Sequence, residues 1–266
     1  MLLKLTTAPT NLIKYCHCFY LELSKVSVKD SIYAAEQQVK DFTFDANVVE
    51  VFPDMIERSV PGYATIVSTL GKLAGKYAQP HTRLYDLGCS LGAVTLSMRR
   101  NLTQSGCEIV AIDNSQAMVE RCRMHLQGFR SAVPVDVQLG DILDAKLENA
   151  SVVAMNFTMQ FIPPEQRHAL LTRIFNALKP GGVLLLSEKL KGENADVDEL
   201  LIDLHHDFKR ANGYSELEIS QKRTAIENVM RTDTLSTHIE RLQDVGFSQT
   251  QVWYQCFNFC SMVAIK

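Results

Sequence analysis

The chain has 266 residues, 46% of them hydrophobic, and a formal net charge of −3 at pH 7. This is enough apolar material for one large core, and a mildly acidic chain is a poor electrostatic match for a phosphate backbone. We therefore expect a small-molecule partner and no direct binding of nucleic acid. No apolar run is long enough to cross a bilayer, so no membrane association is predicted.

The cysteines do not follow the pattern of a disulfide framework. There are seven, an odd number, and they are scattered without Cys-x-x-Cys spacing. No metal site is predicted from them. Buried thiols in a reducing compartment are the expected state, which predicts a cytoplasmic protein.

The chain before the sheet is predicted to hold an extension and two helices. Residues 1–27 are interpreted as an extension outside the main fold, and residues 28–266 as a single α/β domain. Apolar residues recur at helical spacing between Phe44 and Tyr77, and Pro61-Gly62 divides that run in two.

From Arg83 onward, apolar strands alternate with helices. The predicted strands cover residues 83–87, 108–113, 133–139, 150–157 and 183–188. A repeated strand–helix–strand order predicts a parallel sheet with right-handed crossovers, and hence a Rossmann-like α/β fold.

The last third of the chain departs from this alternation. Residues 191–232 are charged and mostly helical, with a break at Gly213, and we predict a helical cap inserted after the fifth strand. After a helix over residues 236–245, strands over 250–257 and 259–265 are predicted to form an antiparallel pair at the edge of the sheet. The sheet would then have seven strands, most of them parallel.

A glycine loop follows the first strand. Gly88 and Gly92 permit positive φ and close approach of a ligand, and the next helix presents unpaired N–H groups suited to a carboxylate. Asp113 ends the second strand, where a carboxylate can accept both ribose hydroxyls. Asp141 and Asn156 end the third and fourth strands, with Asp141 expected near an adenine edge. These positions together predict a nucleoside-containing cofactor at one edge of the sheet.

Competing interpretations of the loop fit less well. It lacks the Gly-x-Gly-x-x-Gly spacing of a dinucleotide site and the Lys-Ser or Lys-Thr of a P-loop. Gly88 to Gly92 does match the Gly-x-Ser-x-Gly nucleophile elbow, but a hydrolase needs a histidine late in the chain. The last one is His238, inside a predicted helix, and Asp86 would be unexplained.

The motif Asp86-Leu87-Gly88 with Gly92 and Asp113 resembles the class I S-adenosylmethionine (SAM) methyltransferase family. A seven-stranded sheet with an antiparallel end is similar to that family too. The loop departs from the family at Ser90, where many members have glycine, and this puts the fine geometry of the loop in doubt.

A closer resemblance, over about residues 28–266, is to the carboxy-S-adenosyl-L-methionine synthase family. Its motifs are found in Val51–Ile56, Arg58–Tyr63, Tyr85–Gly92, Ala111–Ser115, Asn156–Thr158, His205–Tyr214, Ile219–Arg223 and Asn258-Phe259. The stretch in the cap is the longest and most specific of them.

This resemblance implies a reaction other than methylation. The family makes carboxy-S-adenosyl-L-methionine and phenylpyruvate from SAM and prephenate, and its product serves a partner enzyme that modifies the wobble uridine of certain tRNAs. Ligand contacts are implied, residue by residue, at Tyr63, Gly88, Cys89, Ser90, Asp113, Asn114, Asp141, Ile142, Asn156 and Arg223. Arg223 is the diagnostic residue, because a guanidinium pairs bidentately with the new carboxylate.

The implied mechanism begins with aromatisation-driven loss of carboxylate from prephenate, followed by attack of a sulfonium ylide on the released CO2. No side chain is an obvious base, and hydroxide leaving prephenate could take the proton. His205 and His206 are candidates, but adjacent helical positions face different ways, and a capping or dimer role fits as well. Apolar positions in the cap, among them Leu200 and Leu204, predict a homodimer.

Two other functions stay open from the sequence. One is an ordinary SAM-dependent methyltransferase acting on a small molecule. The other is a non-catalytic carrier that hands its ligand to a tRNA-modifying enzyme.

Overall fold

The computed structural model describes residues 28–266, so the predicted extension over residues 1–27 lies outside the described residues. The described α-helices are α1 Ala46–Ser59, α2 Tyr63–Tyr77, α3 Ala93–Asn101, α4 Gln116–Gln127, α5 Pro164–Ala177, α6 Ala195–Ala211, α7 Glu216–Glu227 and α8 Leu235–Val245. The strands are β1 Arg83–Leu87, β2 Glu108–Asp113, β3 Val135–Leu139, β4 Ala150–Asn156, β5 Leu178–Lys189, β6 Gln249–Cys256 and β7 Phe259–Ile265.

The strands form one sheet in the order β3-β2-β1-β4-β5-β7-β6. Neighbours among β1 to β5 run parallel, whereas β7 is antiparallel to both β5 and β6. The predicted seven-stranded, mostly parallel sheet with an antiparallel end is confirmed. The last strand of the chain inserts between β5 and β6, so the outermost strand is β6.

Two predicted strand boundaries were wrong by two residues or more, and the other differences are of a single residue. The third strand begins at Val135, two residues later than predicted, because Pro134 has no N–H to donate to the ladder. The fifth begins at Leu178, before the Lys-Pro-Gly-Gly segment, because Leu178 pairs with Ala150 and Val183 pairs with Val152. The segment between these pairs is a bulge, in which Gly181 has φ +75°.

The central strands are buried on both faces, which explains apolar runs such as residues 152–155 of β4 and 183–186 of β5. Val153 and Met155 of β4 pack into the cluster beneath α5 and α8, whereas Val152 and Ala154 pack against α2 and α3. Leu70 of α2 is fully buried on that second face. Burying one such side chain contributes about 1.5–3 kcal/mol, so an apolar cluster holds each helical layer against its own face of the sheet.

Helices α6 and α7 occupy the region predicted as a cap. Gly213 lies between them with φ +83°, as the predicted break requires. Ser215 and Glu218 form a capping box that begins α7. In the described part of the chain, no helix is both long and apolar enough to cross a membrane.

Residues 28–45, here called the strap, precede α1 and run along α7. The Gln37 N–H donates to Gln221 Oε1 at 3.0 Å, and the Phe42 N–H donates to the Ala225 carbonyl at 2.9 Å. The sequence did not predict this contact, because the strap has no helical or strand periodicity.

Candidate functional site

A cavity of about 1630 Å³ opens at the carboxyl ends of the parallel strands. It is bounded by the glycine loop after β1, the ends of β2 and β4, the strap and the cap. All the residues carried over from the family resemblance line it: Tyr63, Gly88, Cys89, Ser90, Asp113, Asn114, Asp141, Ile142, Asn156 and Arg223.

The two glycines of the loop are required by space as well as by conformation. Gly88 has φ +81°, and a Cβ there would lie 2.4 Å from Thr158 Oγ1. Gly92 has φ +83°, and a Cβ there would lie 2.7 Å from Cys122 Sγ. The backbone therefore lines this wall of the cavity with no side chain in front of it.

Ser90 adopts the left-handed conformation (φ +53°), which residues other than glycine seldom take. Its N–H donates to Asp113 Oδ2 at 2.8 Å, which holds the conformation. Its hydroxyl contacts Met118 Sδ at 3.6 Å. Among the described residues, no base is recorded in hydrogen-bond contact with this hydroxyl, so the elbow interpretation has no support here.

Asp113 sits between the loop and α4. Its Oδ2 accepts from Ser90 and its Oδ1 accepts from the Ser115 N–H at 2.9 Å. Burial raises the pKa of Asp113 above its usual value, against the lowering effect of these N–H donors. Each oxygen keeps a further lone pair, so this carboxylate can accept from a vicinal diol while staying fixed by the backbone.

Asp86, two residues before Gly88, anchors the glycine loop. It is almost fully buried, its Oδ2 accepts from Thr95 Oγ1 at 2.5 Å, and burial raises its pKa to about 6. This bond ties the first turn of α3 to β1. The N–H groups of Gly88 and Cys89 both donate to the Ile112 carbonyl, so an anion here has to use the N–H groups that begin α3.

Asn156, at the end of β4, has a buried Oδ1 with no hydrogen-bond partner among the described residues. A buried acceptor without a donor is unfavourable, and a ligand donor in the cavity would relieve it. On the opposite side, Asp141 Oδ1 accepts from the Leu143 N–H at 2.8 Å, which fixes the loop that carries buried Ile142. Ile142 can therefore form an apolar wall for a base.

Arg223 extends from α7 to the same cavity. Its Nε donates to Glu227 Oε1 at 2.6 Å, and its side chain is 53% exposed. Among residues 28–266, no partner is recorded for its two Nη atoms. Glu227 therefore orients the guanidinium while the Nη1–Nη2 edge can take a carboxylate.

His205 and His206 have different surroundings, as predicted for adjacent helical positions. Nε2 of buried His205 lies 2.8 Å from the Ser59 carbonyl at the end of α1, and burial lowers its pKa to about 2. The imidazole is therefore neutral and donates to that carbonyl. His205 supports the wall of the cavity and is unsuited to act as a base.

Several cavity residues were missed by sequence reasoning. Phe42 and Phe44 of the strap line the cavity, and Phe44 packs edge-on against Phe161, with ring centroids 5.5 Å apart. The Phe-x-Phe spacing is too common to have identified them. Lys189, the last residue of β5, also lines the cavity, and a cation directly after a buried strand was a signal that could have been followed.

The polar and charged groups that line this cavity suit an organic ligand with a diol, a base and charged ends. In the part of the chain that the structure describes, no group of three or more His, Cys, Asp or Glu side chains is placed to hold a metal ion.

Comparison with known proteins places this site in a family. Residues 84–182 match a family model described as a methyltransferase domain. The chain is 76% identical, over 91% of its length and all of the relative's, to a carboxy-S-adenosyl-L-methionine synthase of Pseudoalteromonas translucida. It is 63% identical to the enzyme of that name from Aeromonas hydrophila, over 90% of this chain and 96% of that one.

The chain belongs to the carboxy-S-adenosyl-L-methionine synthase family. The enzyme also resembles the crystal structure of an O-methyltransferase from Nostoc punctiforme, with a TM-score of 0.59 and 16% identity, covering 83% of this chain and 59% of that one. That likeness shows the fold, which is the predicted class I methyltransferase fold. The carboxy-S-adenosyl-L-methionine synthase family is thus a branch of this fold, and in this chain the glycine loop and Arg223 of α7 line one cavity.

Proposed function

We propose that this enzyme converts SAM and prephenate into carboxy-S-adenosyl-L-methionine and phenylpyruvate. One observation carries the proposal beyond the family name: Arg223 of the cap lines the same cavity as the glycine loop and Asp113. The names of the relatives specify the product, and prephenate is inferred as the source of the carboxylate.

The position of Arg223 favours a carboxylated ligand for an electrostatic reason. A methyl donor carries a sulfonium cation, and a guanidinium close to that cation would be repelled. A carboxylated sulfonium presents a new anion, which the Nη1–Nη2 edge can bind through two hydrogen bonds.

The rest of SAM can be assigned by chemistry to the residues that line the cavity. Asp113 would accept from the ribose hydroxyls, while Asp141 and Ile142 would contact the adenine. The unpaired Asn156 Oδ1 would accept from the α-ammonium group, since that is the donor at the amino-acid end. The loop over residues 88–90, with Tyr63 and Asn114, would complete the enclosure.

The proposed chemistry balances without a cofactor or an outside oxidant. Prephenate loses its ring carboxylate as CO2 and expels hydroxide as the ring becomes aromatic, which leaves phenylpyruvate. The hydroxide takes a proton from the SAM methyl group to form water, and the resulting carbanion bonds to the carbon of CO2. The protein contributes by holding the reactants together and keeping bulk water out.

Mass spectrometry of the products of purified enzyme, SAM and prephenate tests the proposal. We expect a SAM derivative heavier by one carboxylate, together with an equal amount of phenylpyruvate. Arg223→Gln should reduce formation of this derivative strongly. Arg210→Gln is the matched control, because Arg210 is a cap arginine that pairs with Asp207 and Glu216 and does not line the cavity.

The result also separates the two alternative functions. Methyl transfer to an acceptor, unaffected by Arg223→Gln, would indicate an ordinary methyltransferase. That activity would be consistent with the match to a methyltransferase domain. Stable binding of carboxylated SAM without turnover would indicate a carrier. Either outcome would overturn the proposal.

We also propose that the enzyme is a cytoplasmic homodimer whose product is used by a tRNA-modifying partner enzyme. Val197, Leu200 and Leu204 are exposed on one side of α6, and contiguous apolar side chains of this kind favour burial against a second copy. Analytical ultracentrifugation tests the dimer, and a monomeric mass would refute it. The use of the product by a partner enzyme is tested by adding carboxylated SAM made by this enzyme to a reconstituted tRNA modification reaction and measuring the modified uridine.

A further inference from the structure

Lys189 lies where the sheet meets the cap. It is the last residue of β5, two positions after Ser187, which pairs with Asn156 in the register between β5 and β4. Across the antiparallel pair its neighbour is Phe259 of β7. Lys189 therefore reaches the cavity beside the proposed amino-acid end of SAM, on a rigid strand.

The ammonium group of Lys189 has no anionic partner in the described residues. Its one recorded contact is with the ring of Phe259, 6.0 Å from Nζ to the ring centroid. Burial, and next the guanidinium of Arg223, hold the pKa of Lys189 down at about 8. A desolvated cation near a second cation is unfavourable until an anion joins them.

The nearby acids are already engaged. Asp198 Oδ1 accepts from the Gly192 N–H at 2.6 Å, and Glu227 pairs with Arg223. Lys209 is a buried cation of the cavity wall. Burial, then Lys222 and Lys189, lower its pKa to about 7, whereas Asp30 raises it, so Lys209 is close to Lys189 as well as to Lys222 and Asp30. Lys189, at the end of β5 and close to Arg223, is the lysine placed for an anion between the sheet and Arg223.

Prephenate carries two carboxylates, one on the ring and one on the pyruvyl side chain. We propose that Lys189 Nζ binds the pyruvyl carboxylate, the one kept in phenylpyruvate, while Arg223 receives the transferred carboxylate. This inference rests on the proposed function, and it makes Lys189 the residue that selects a dianionic carboxyl donor. Bound in this way, prephenate has its ring carboxylate directed towards Arg223 and the sulfonium.

Lys189→Met tests the assignment, because methionine keeps an unbranched side chain and removes the charge. We expect the KM for prephenate to rise about 10- to 100-fold, the range for losing a hydrogen bond to a charged group. The KM for SAM should stay within about twofold, since no SAM contact is removed. Lys189→Arg should recover part of the loss, and Lys179→Met, an exposed lysine at the other end of β5, is the control.

A second measurement distinguishes binding from a structural role. Removing a partly buried cation that has no anionic partner among the described residues relieves desolvation, so the melting temperature of Lys189→Met should equal or exceed that of the wild type. A lower melting temperature with both KM values raised would mean that Lys189 supports the fold, and would overturn the assignment. An unchanged KM for prephenate would overturn it as well.

Failure of this inference can be told apart from failure of the proposed function. If the wild-type enzyme forms no carboxylated SAM from prephenate, the proposed function is wrong and the role of Lys189 with it. If the wild type forms the product and Lys189→Met does so with an unchanged KM, only the role of Lys189 is wrong.

Discussion

Asp30→Asn perturbs the buried contact that joins the strap to the cap. Asp30 is 2% exposed, and its Oδ2 accepts from the hydroxyl of Tyr214 at 2.5 Å. The ammonium of buried Lys222 lies 3.8 Å from the same oxygen. Asparagine keeps an acceptor for Tyr214 but removes the charge that compensates Lys222.

The pKa of Lys222 sets an upper limit on the unfolding free energy that is lost when Lys222 has no anionic partner. Burial lowers that pKa from 10.5 to about 8 although Asp30 raises it, and without Asp30 it falls further. Without Asp30, Lys222 can release its proton at pH 7. Because its pKa of about 8 lies one unit above pH 7, the stability lost through Lys222 cannot exceed about 1.4 kcal/mol. The weaker hydrogen bond to Tyr214 adds about 1 kcal/mol, so we expect about 2–3 kcal/mol at pH 7.

The pH dependence gives the sharper test. The lowered pKa means that Lys222 is charged in the folded protein at pH 7 and mostly neutral at pH 9. At pH 9 Asp30 no longer compensates a charge, so the difference in unfolding free energy between wild type and Asp30→Asn should shrink to about 1 kcal/mol.

Urea denaturation of both proteins at pH 7 and pH 9 measures this difference. Asp41→Asn is the control, an exposed strap residue whose Oδ1 accepts from Asn228 at 2.9 Å, and it should change stability little at either pH. The role assigned to Lys222 would be refuted if Asp30→Asn lowered the unfolding free energy equally at the two pH values, or by less than about 0.5 kcal/mol at pH 7.

Changes at three further positions probe the cavity. Gly88→Ala should destabilise the protein by about 2 kcal/mol or more and abolish tight SAM binding in calorimetry, because its Cβ would clash with Thr158 and strain a positive φ. Asp113→Asn should weaken SAM binding about tenfold or more, since an amide cannot accept from two backbone N–H groups and a diol together; equal affinity in a titration would contradict the ribose assignment. His205→Gln should retain activity and its pH profile, because the amide can still donate to Ser59, whereas His205→Leu should lose about 1–3 kcal/mol in denaturant unfolding. An activity loss in His205→Gln without a stability loss would instead support a catalytic histidine.

Much of the sheet could be predicted because its signals are local. A strand buried on both faces is mostly apolar, as residues 152–155 are, and a glycine with positive φ can be recognised where a strand turns into a helix. Boundaries were wrong at residues 133 and 183, where proline and a bulge altered the ladder without changing the apolar pattern.

The sequence by itself determined the α/β class, the glycine loop after β1 and the acid at the end of β2, because each depends on neighbouring residues. The family resemblance implied Arg223 as a ligand contact, but only the tertiary structure placed the strap and Lys189 around that loop, inserted β7 between β5 and β6, and left Asn156 Oδ1 without a donor among the described residues. Those features depend on contacts between segments far apart in the chain. Long-range packing and burial, which local pattern does not encode, therefore decided which charges meet in the cavity.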